Sequence, residues 1–323
     1  MSSQLPVARF GLPRLAAWLL TMACACSATQ AAERAAVVLR GTGPTEAAPH
    51  GQGNVYAPEV HRHEDAWWMW YGGQGEDGHD RIHLATSSDG IAWQRQGVVI
   101  DCGSANHVND PTVTRRDDAW WMFYTVAQQG EQDQIAAARS TNGRQWELLG
   151  VVLPTGAADR WDSAKVGRPS VLWDQDRFRL WYDGQPTEST ARSNNDASAT
   201  RRVGRAVGYA ESLDGRQWNR HERPVWIQGA GAVQVLKSAV GYLMVYESHQ
   251  GTRYAKSGDG LEWADGGPLL QATGPDEAHG HVTPFFWLDK PDATEGVLFF
   301  GAASRATWNF NAIARVPITV PEN

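Results

Sequence analysis

The chain has 323 residues, enough for one large all-β domain, and its 33 Gly and 16 Pro favour turns over long helices. The formal net charge is -7 and no long basic run occurs, which argues against nucleic acid as a partner, since duplex binding rests on clustered Lys and Arg. Tryptophan stands out at 16, against 8 Tyr and 8 Phe, so aromatic packing must supply much of the buried area.

Near the N-terminus Arg9 and Arg14 precede or flank the apolar run L-A-A-W-L-L-T-M-A-C-A, and the small-residue stretch S-A-T-Q-A-A-E follows. This is the pattern of a secretory signal over residues 1–32, cleaved near Ala31 or Ala32. The run is too short for a permanent bilayer span, so a soluble periplasmic or secreted monomer is expected over 33–323. A lipid anchor at Cys24 or Cys26 is the minor alternative, because Thr21-Met22-Ala23 is a poor approach to one. Cleavage leaves Cys102 alone, read as a small buried apolar residue with no internal disulfide.

The remainder repeats. Ala57–Tyr71 reads A-P-E-V-H-R-H-E-D-A-W-W-M-W-Y and runs to the turn S-S-D-G-I-A-W at Ser87–Trp93. Asp110–Tyr124 reads D-P-T-V-T-R-R-D-D-A-W-W-M-F-Y, followed by S-T-N-G-R-Q-W at Ser140–Trp146. Arg168–Tyr182 reads R-P-S-V-L-W-D-Q-D-R-F-R-L-W-Y, followed by S-L-D-G-R-Q-W at Ser212–Trp218. Ala232–Tyr246 keeps the shape without the proline and leads to S-G-D-G-L-E-W at Ser257–Trp263. A fifth unit has T-P-F-F-W-L at Thr283–Leu288 and lacks the turn. Each unit is a strand, a polar turn and an aromatic strand, then an Asp-Gly or Asn-Gly hairpin that needs positive φ. Such units predict an all-β, five-bladed β-propeller of four-stranded antiparallel blades. A strand from Ala35–Arg40 is expected to complete the last blade and close the ring.

In a four-stranded meander the Ser-x-Asp-Gly-x-x-Trp turns lie on one face. The blade-start loops and the loops after the second strands lie on the other. That second face collects the irregular polar residues: His107, Asn109 and Asp110; Asp162, Lys165 and Arg168; Asp276, Glu277, His279 and His281. It also takes His79 and Asp80, Asp183 and Glu188, Glu247 and His249, and Arg305. Loops on a rigid scaffold commonly carry function. The segment Asp183–Arg202 reads as a flap or as a disordered loop. Trp67, Trp70, Trp120 and Trp181 fall in repeated strands and read as inter-blade packing. Trp161, Trp226 and Trp308 lie in loops and are better placed to stack on a sugar.

The passages V-Y-A-P-E-V…W-M-W-Y-G-G, V-G-R-P-S-V…L-W-Y-D-G and V-G-Y-A-E-S-L-D-G-R-Q-W resemble the five-bladed glycoside hydrolase superfamily, which includes families 43, 32, 62, 68 and 130. The hairpin turns resemble the Asp-box of sialidases, shortened by one residue, and the resemblance implies a structural role for Asp89, Asn142, Asp214 and Asp259. Family 43 resemblance implies a base Asp, a pKa-tuning Asp and an acid Glu at the starts of the first three blades. This chain has Ala57, Asp110 and Arg168 there, so only the second matches. Glu59, two residues beyond Ala57, is on the same strand face and is the candidate for a displaced carboxylate. Gly280–Thr283, G-H-V-T, resembles the Gly-His element near the propeller axis, and gives His281 a suggested place beside a central metal such as calcium or a water. No other cofactor is expected.

Asp110 is thus the leading catalytic candidate, against a bland role in capping the turn before Pro111. Glu59 and Glu247 are the other two. Arg168, His281, Asp183, His249, His107 and Arg305 are the candidates for substrate binding. The expected function is hydrolysis of an oligo- or polysaccharide by carboxylate acid/base chemistry. The alternative is a non-catalytic propeller that binds glycan or an envelope partner, motivated by the two missing carboxylates.

Overall fold

The structure is a computed structural model that describes residue 1 and residues 34–187, 205–226, 231–239, 241–248, 250–307 and 309–320. The signal-peptide stretch, most of the expected flap, Glu188, His249 and Trp308 lie outside these residues. Contacts divide the chain after Ala32, and the second unit, Glu33–Asn323, carries every described strand.

After a short strand β1 (Ala36–Leu39) the chain builds four-stranded antiparallel sheets. The first is β2 (Val55–His63), β3 (Ala66–Gln74), β4 (Asp80–Ser87) and β5 (Gln94–Ile100). The second is β6 (Ala105–Arg116), β7 (Ala119–Gln128), β8 (Gln134–Ser140) and β9 (Glu147–Leu153). The third is β10 (Lys165–Asp174), β11 (Arg177–Gln185), β12 (Ala206–Ser212) and the two-residue β13 (Asn219–Arg220). A further set, β14 (Val233–Ser238), β15 (Gly241–Ser248), β16 (Gly251–Ser257) and β17 (Ala264–Gln271), is bridged at Ser248–His281 to β18 (His281–Trp287). β19 (Glu295–Ala303) and β20 (Asn311–Thr319) follow, and β20 takes β1 as its antiparallel neighbour. The strands β2, β6, β10, β14 and β18 each touch the next in that order, and β18 touches β2.

Aromatic strands fill the gaps between sheets. Trp70 and Trp120 share one buried cluster between the first two sheets, and Trp181 packs with Tyr209 and Tyr242 between the next pair. The hairpin turns lock the same seams. In the first, Asp89 Oδ1 accepts the N–H groups of Ile91 and Ala92 at 2.8 and 2.9 Å, and Gly90 has φ +73°. Trp70 Nε1 of the first sheet donates to Gly143 O of the second sheet's turn at 3.0 Å, and Trp181 Nε1 donates likewise to Gly260 O at 2.8 Å. The turn carboxylates are therefore occupied: the two backbone N–H groups hold Asp214 below the usual carboxylate range. Asp214→Ala is expected to lower unfolding stability by about 1 kcal/mol, read by urea titration, and to leave any activity unchanged.

Candidate functional site

One residue in each of the five repeated segments is forced into the left-handed region: Ala57, Asp110, Arg168, Ala232 and Thr283, with φ between 45° and 51°. Four of them precede a proline, Ala57, Asp110, Arg168 and Thr283, a setting that disfavours α-region backbone. At these four the pairing register also slips, between Tyr56 and Glu59, Asn109 and Thr112, Gly167 and Ser170, and Val282 and Phe285. These are bulges, which re-aim a side chain at the cost of local strain. Here they turn position 57 and its equivalents inward around a narrow cavity of about 30 Å³, room for about one water.

The strained backbone N–H groups need acceptors, and neighbouring sheets supply them. Arg168 N donates to Thr125 Oγ1 at 2.8 Å, Ala232 N to Asp183 Oδ1 at 2.9 Å, and Thr283 N to Glu247 Oε2 at 3.3 Å. Ala57 N donates to Thr283 Oγ1 at 2.8 Å. Thr125, Asp183 and Glu247 each stand just after the Tyr of a second strand, where the first sheet has Gly72. Their common duty explains why a polar side chain stands there.

Two of those acceptors are acidic, and they meet two arginines. Arg168 reaches Asp183 Oδ2 at 3.3 Å, Glu247 Oε1 at 3.8 Å and Asp110 Oδ2 at 3.9 Å. Arg205 donates to Asp183 Oδ2 at 3.2 Å and also to Glu247 Oε1. Three carboxylates from three sheets therefore converge on one guanidinium. Burial raises the Asp110 carboxyl, with Arg168 and Lys165 pulling the other way, and Asp110 Oδ1 has no hydrogen-bond partner among the described residues. Burial also raises Asp183, opposed by Arg205 and Arg168.

His107 stands beside this group, its Nε2 3.0 Å from Asp133 Oδ1. Burial disfavours its charge, but the bond to Asp133 and the charges of Asp133, Asp80 and Asp110 outweigh that and raise it. Asp133 is tied in turn to Lys165, and these two cations hold it below the usual range in spite of its burial.

Glu59 is placed one step further along the channel and does different work. Its Oε1 accepts the N–H of Val113 at 2.9 Å and faces His61 Nε2 at 2.7 Å. Thr112, Ser170 and Gln234 hold equivalent positions and make the equivalent bonds, to Val171 N, Val235 N and Phe286 N. Glu59 is thus one of a tier of struts between first strands, and it separates the narrow cavity from a wider one of about 260 Å³ at the far end. Glu59→Gln keeps the acceptor and is expected to change kcat/KM by less than about threefold; removing a group that moves the reaction's proton costs roughly 10²-fold or more. A steady-state assay separates the two.

His281, expected near the axis, is sealed between strands instead. Its Nδ1 faces Thr252 Oγ1 at 2.9 Å, its Nε2 faces Glu277 Oε2 at 2.6 Å, and its ring stacks on Phe300. Both nitrogens are taken, so the Gly-His element holds the last seam rather than a ligand. Among the described residues no three His, Cys, Asp or Glu side chains are grouped to hold a metal ion. Arg305 is exposed and lies over Phe310, apart from the converging carboxylates. Trp161 stacks on Tyr182, and Trp226 is buried against Tyr246, so these two pack inside rather than face a sugar. Asp162 accepts from Tyr182 Oη, Arg160 and Arg220 and pins the loop that carries Trp161.

Sequence reasoning put Asp80 on the polar face without a role and passed over Arg205. Asp80 is buried, with Asn109 Nδ2 3.4 Å from its Oδ2, and nothing in its spacing announces that. Arg205 stands 22 residues from Asp183 in sequence, and only the fold brings the two together.

The family description "Glycosyl hydrolases family 32 N-terminal domain" matches residues 44–162, a stretch that includes Ala57 and Asp110. The sucrose-6-phosphate hydrolase of Escherichia coli is 34% identical over 96 residues, 28% of this chain and 20% of that protein. An uncharacterised protein of Mycobacterium tuberculosis is 26% identical over 183 residues, 52% of this chain and 56% of that one. Among solved structures, one described as a glycoside hydrolase superposes with a TM-score of 0.70 at 19% identity, covering 87% of this chain and 90% of its own. A family 117 glycoside hydrolase of Zobellia galactanivorans reaches 0.66 at 15% identity, covering 87% and 88%. The chain is similar in part of its sequence to glycoside hydrolases, and its fold is that of the propeller glycoside hydrolases. The chain spans about a fifth of the length of the sucrose-6-phosphate hydrolase it matches. Where the family 43 resemblance implies carboxylates, this chain has Ala57 and Arg168 beside Asp110, and Asp183 and Glu247 from the following strands approach Arg168.

Proposed function

We propose that this protein is an exported, monomeric glycosidase that hydrolyses a neutral glycan at the mouth built by Asp110, Asp183, Glu247 and Arg168. The convergence of three carboxylates from different sheets on one half-buried guanidinium carries this reading. In it, five sheets close into a ring, supported by the pairing of β1 with β20 and the contact of β18 with β2. Glycan hydrolysis needs one carboxyl that gives a proton to the departing oxygen and one carboxylate that activates water or attacks. Asp110, buried and raised, takes the first role. Glu247, lying against Arg168 and Arg205, takes the second. Asp183 is committed to Ala232 N–H and both arginines and holds the frame. The arginines are already matched by carboxylates, so an anionic sugar gains little there, which favours a neutral one.

A second reading, a glycan-binding propeller without turnover, draws on Ala57 and Arg168 at positions where the superfamily resemblance implies carboxylates. A screen of neutral and anionic oligosaccharides and aryl glycosides decides between them. Release of reducing sugar from a neutral substrate is the expected result. Binding by calorimetry without release supports the second reading, and neither binding nor release sinks both.

A further inference from the structure

The tier of struts has one member that carries more chemistry than its post requires. Each strut accepts a backbone N–H from the next sheet, and Thr112, Ser170 and Gln234 do so without charge. The first sheet uses Glu59, whose carboxyl is raised by burial against the pull of His61, a desolvation cost that the neutral struts avoid. Glu59 Oε1 takes both Val113 N–H and His61 Nε2. Glu59 Oε2 and His61 Nδ1 make no hydrogen bond to the described residues, and neither atom is sealed from the channel. A carboxylate buried at a cost, with a free oxygen beside a free imidazole nitrogen, marks a site rather than a frame.

Two residues past the struts come His61, Leu172 and Leu236, and Trp287 holds the equivalent place on β18. All four line the cavity of about 260 Å³. The first sheet therefore gives a polar wall, and the third, fourth and fifth units give an apolar one. Fixed charge at the cavity is balanced, Glu59 and Asp289 against Lys237 and Lys290, and the two lysines are tied to Asp174 and Asp292 at 3.1 and 3.5 Å. Neither an anion nor a cation finds an unmatched partner there. A sugar ring has the same division as the cavity, hydroxyls around its rim and C–H groups on its faces. The volume lies just under the usual range for small-molecule sites, about 300–1,000 Å³, and suits one ring rather than a chain. The narrow cavity of about 30 Å³ bars such a ring from passing to Arg168.

We propose that this end of the channel binds a single uncharged monosaccharide, whose hydroxyls bond Glu59 Oε2 and His61 Nδ1 and whose C–H face lies on Leu172, Leu236 and Trp287. Its occupation is not a step of the hydrolysis proposed above and does not depend on it.

The test uses the full chain with ¹⁵N-labelled histidine, titrated with D-glucose, D-galactose, D-mannose and D-xylose, and with D-glucuronate and D-glucosamine as charged counterparts. The expected result is that at least one neutral sugar shifts the His61 ring nitrogens, assigned by their absence in His61→Gln. A Kd on the order of 1–10 mM suits so small a ligand. Glu59→Gln keeps an acceptor for Val113 N–H and loses the charged one, so it weakens that sugar about tenfold or more. Glu247→Gln, at the mouth, leaves the shift and the affinity unchanged. Urea titration checks that each variant is folded; if Glu59→Gln is not, loss of the same affinity in His61→Gln, read by calorimetry, takes its place. No shift from any of the neutral sugars overturns the proposal. So does an affinity that Glu59→Gln and His61→Gln leave intact, one that Glu247→Gln abolishes, or a preference for glucuronate or glucosamine. A shift in a chain without glycosidase activity upholds this site while removing the reading above, and turnover without a shift does the reverse, so the two fail separately.

Discussion

Asp110→Asn is expected to lower kcat/KM on a natural glycan by roughly 10²–10⁴-fold, the range for loss of a positioned acid. The loss should shrink to about tenfold on an aryl glycoside whose leaving group departs without a proton, since only the protonation step is missing. Glu247→Gln should fail on both substrates, because activation of water or direct attack is needed whatever leaves. The contrast matters more than either number. Asp110 sits on strained backbone with one carboxyl oxygen unpartnered, whereas Glu247 is held by Arg205 and Thr283 N–H. Equal losses on the two substrate types in Asp110→Asn would assign Asp110 to binding or to the turn before Pro111, and end its role as acid.

Arg168→Met is expected to destabilise the fold by about 2 kcal/mol near neutral pH, below the range for a fully buried ion pair, since Arg168 is partly exposed and Arg205 still faces Asp183 and Glu247. The pH dependence has a definite sign. Burial already raises the Asp110 and Asp183 carboxyls, and Arg168 is among the groups that pull them down. Without it both rise further above their unfolded values. Their protonated forms cost nothing extra, so the penalty vanishes below about pH 4 and grows as pH climbs through the folded values. Urea unfolding of the two proteins across that range should show curves that meet in acid and part toward neutrality. A pH-independent difference would mean that Arg168 acts through packing alone.

Much of the architecture was legible in the residues. The Ser-x-Asp-Gly-x-x-Trp turns recur because Asp and Gly each meet a local demand, two backbone N–H acceptors and a positive φ, and local demands write themselves at fixed spacing. The aromatic strands were legible too, since Trp70 and Trp181 reach the next sheet's turn from repeated positions. The site was only half legible. Strand alternation and meander topology assign faces without coordinates, and Asp110, Asp183, Glu247 and Arg168, expected on one face, do come together.

The errors share a physical cause. Glu59 looked like a displaced carboxylate and proved to be a strut like Thr112, Ser170 and Gln234, because hydrogen bonds between sheets leave no trace in spacing. His281 carried a family likeness, but Glu277 and Thr252 fill both its nitrogens. Trp161 and Trp226 sit in irregular segments and nevertheless pack inward, since apolar burial is decided by what lies across the gap. The sequence by itself determined the repeating β-sheet units, their turns and the face that bears the charges, all consequences of short-range chemistry. Only the tertiary structure decided which charges meet: Asp110, Asp183 and Glu247 reach Arg168 from three sheets, and Arg205, 22 residues on in sequence, reaches Asp183. Electrostatic coupling depends on distance through space, and that distance exists only once the chain has folded.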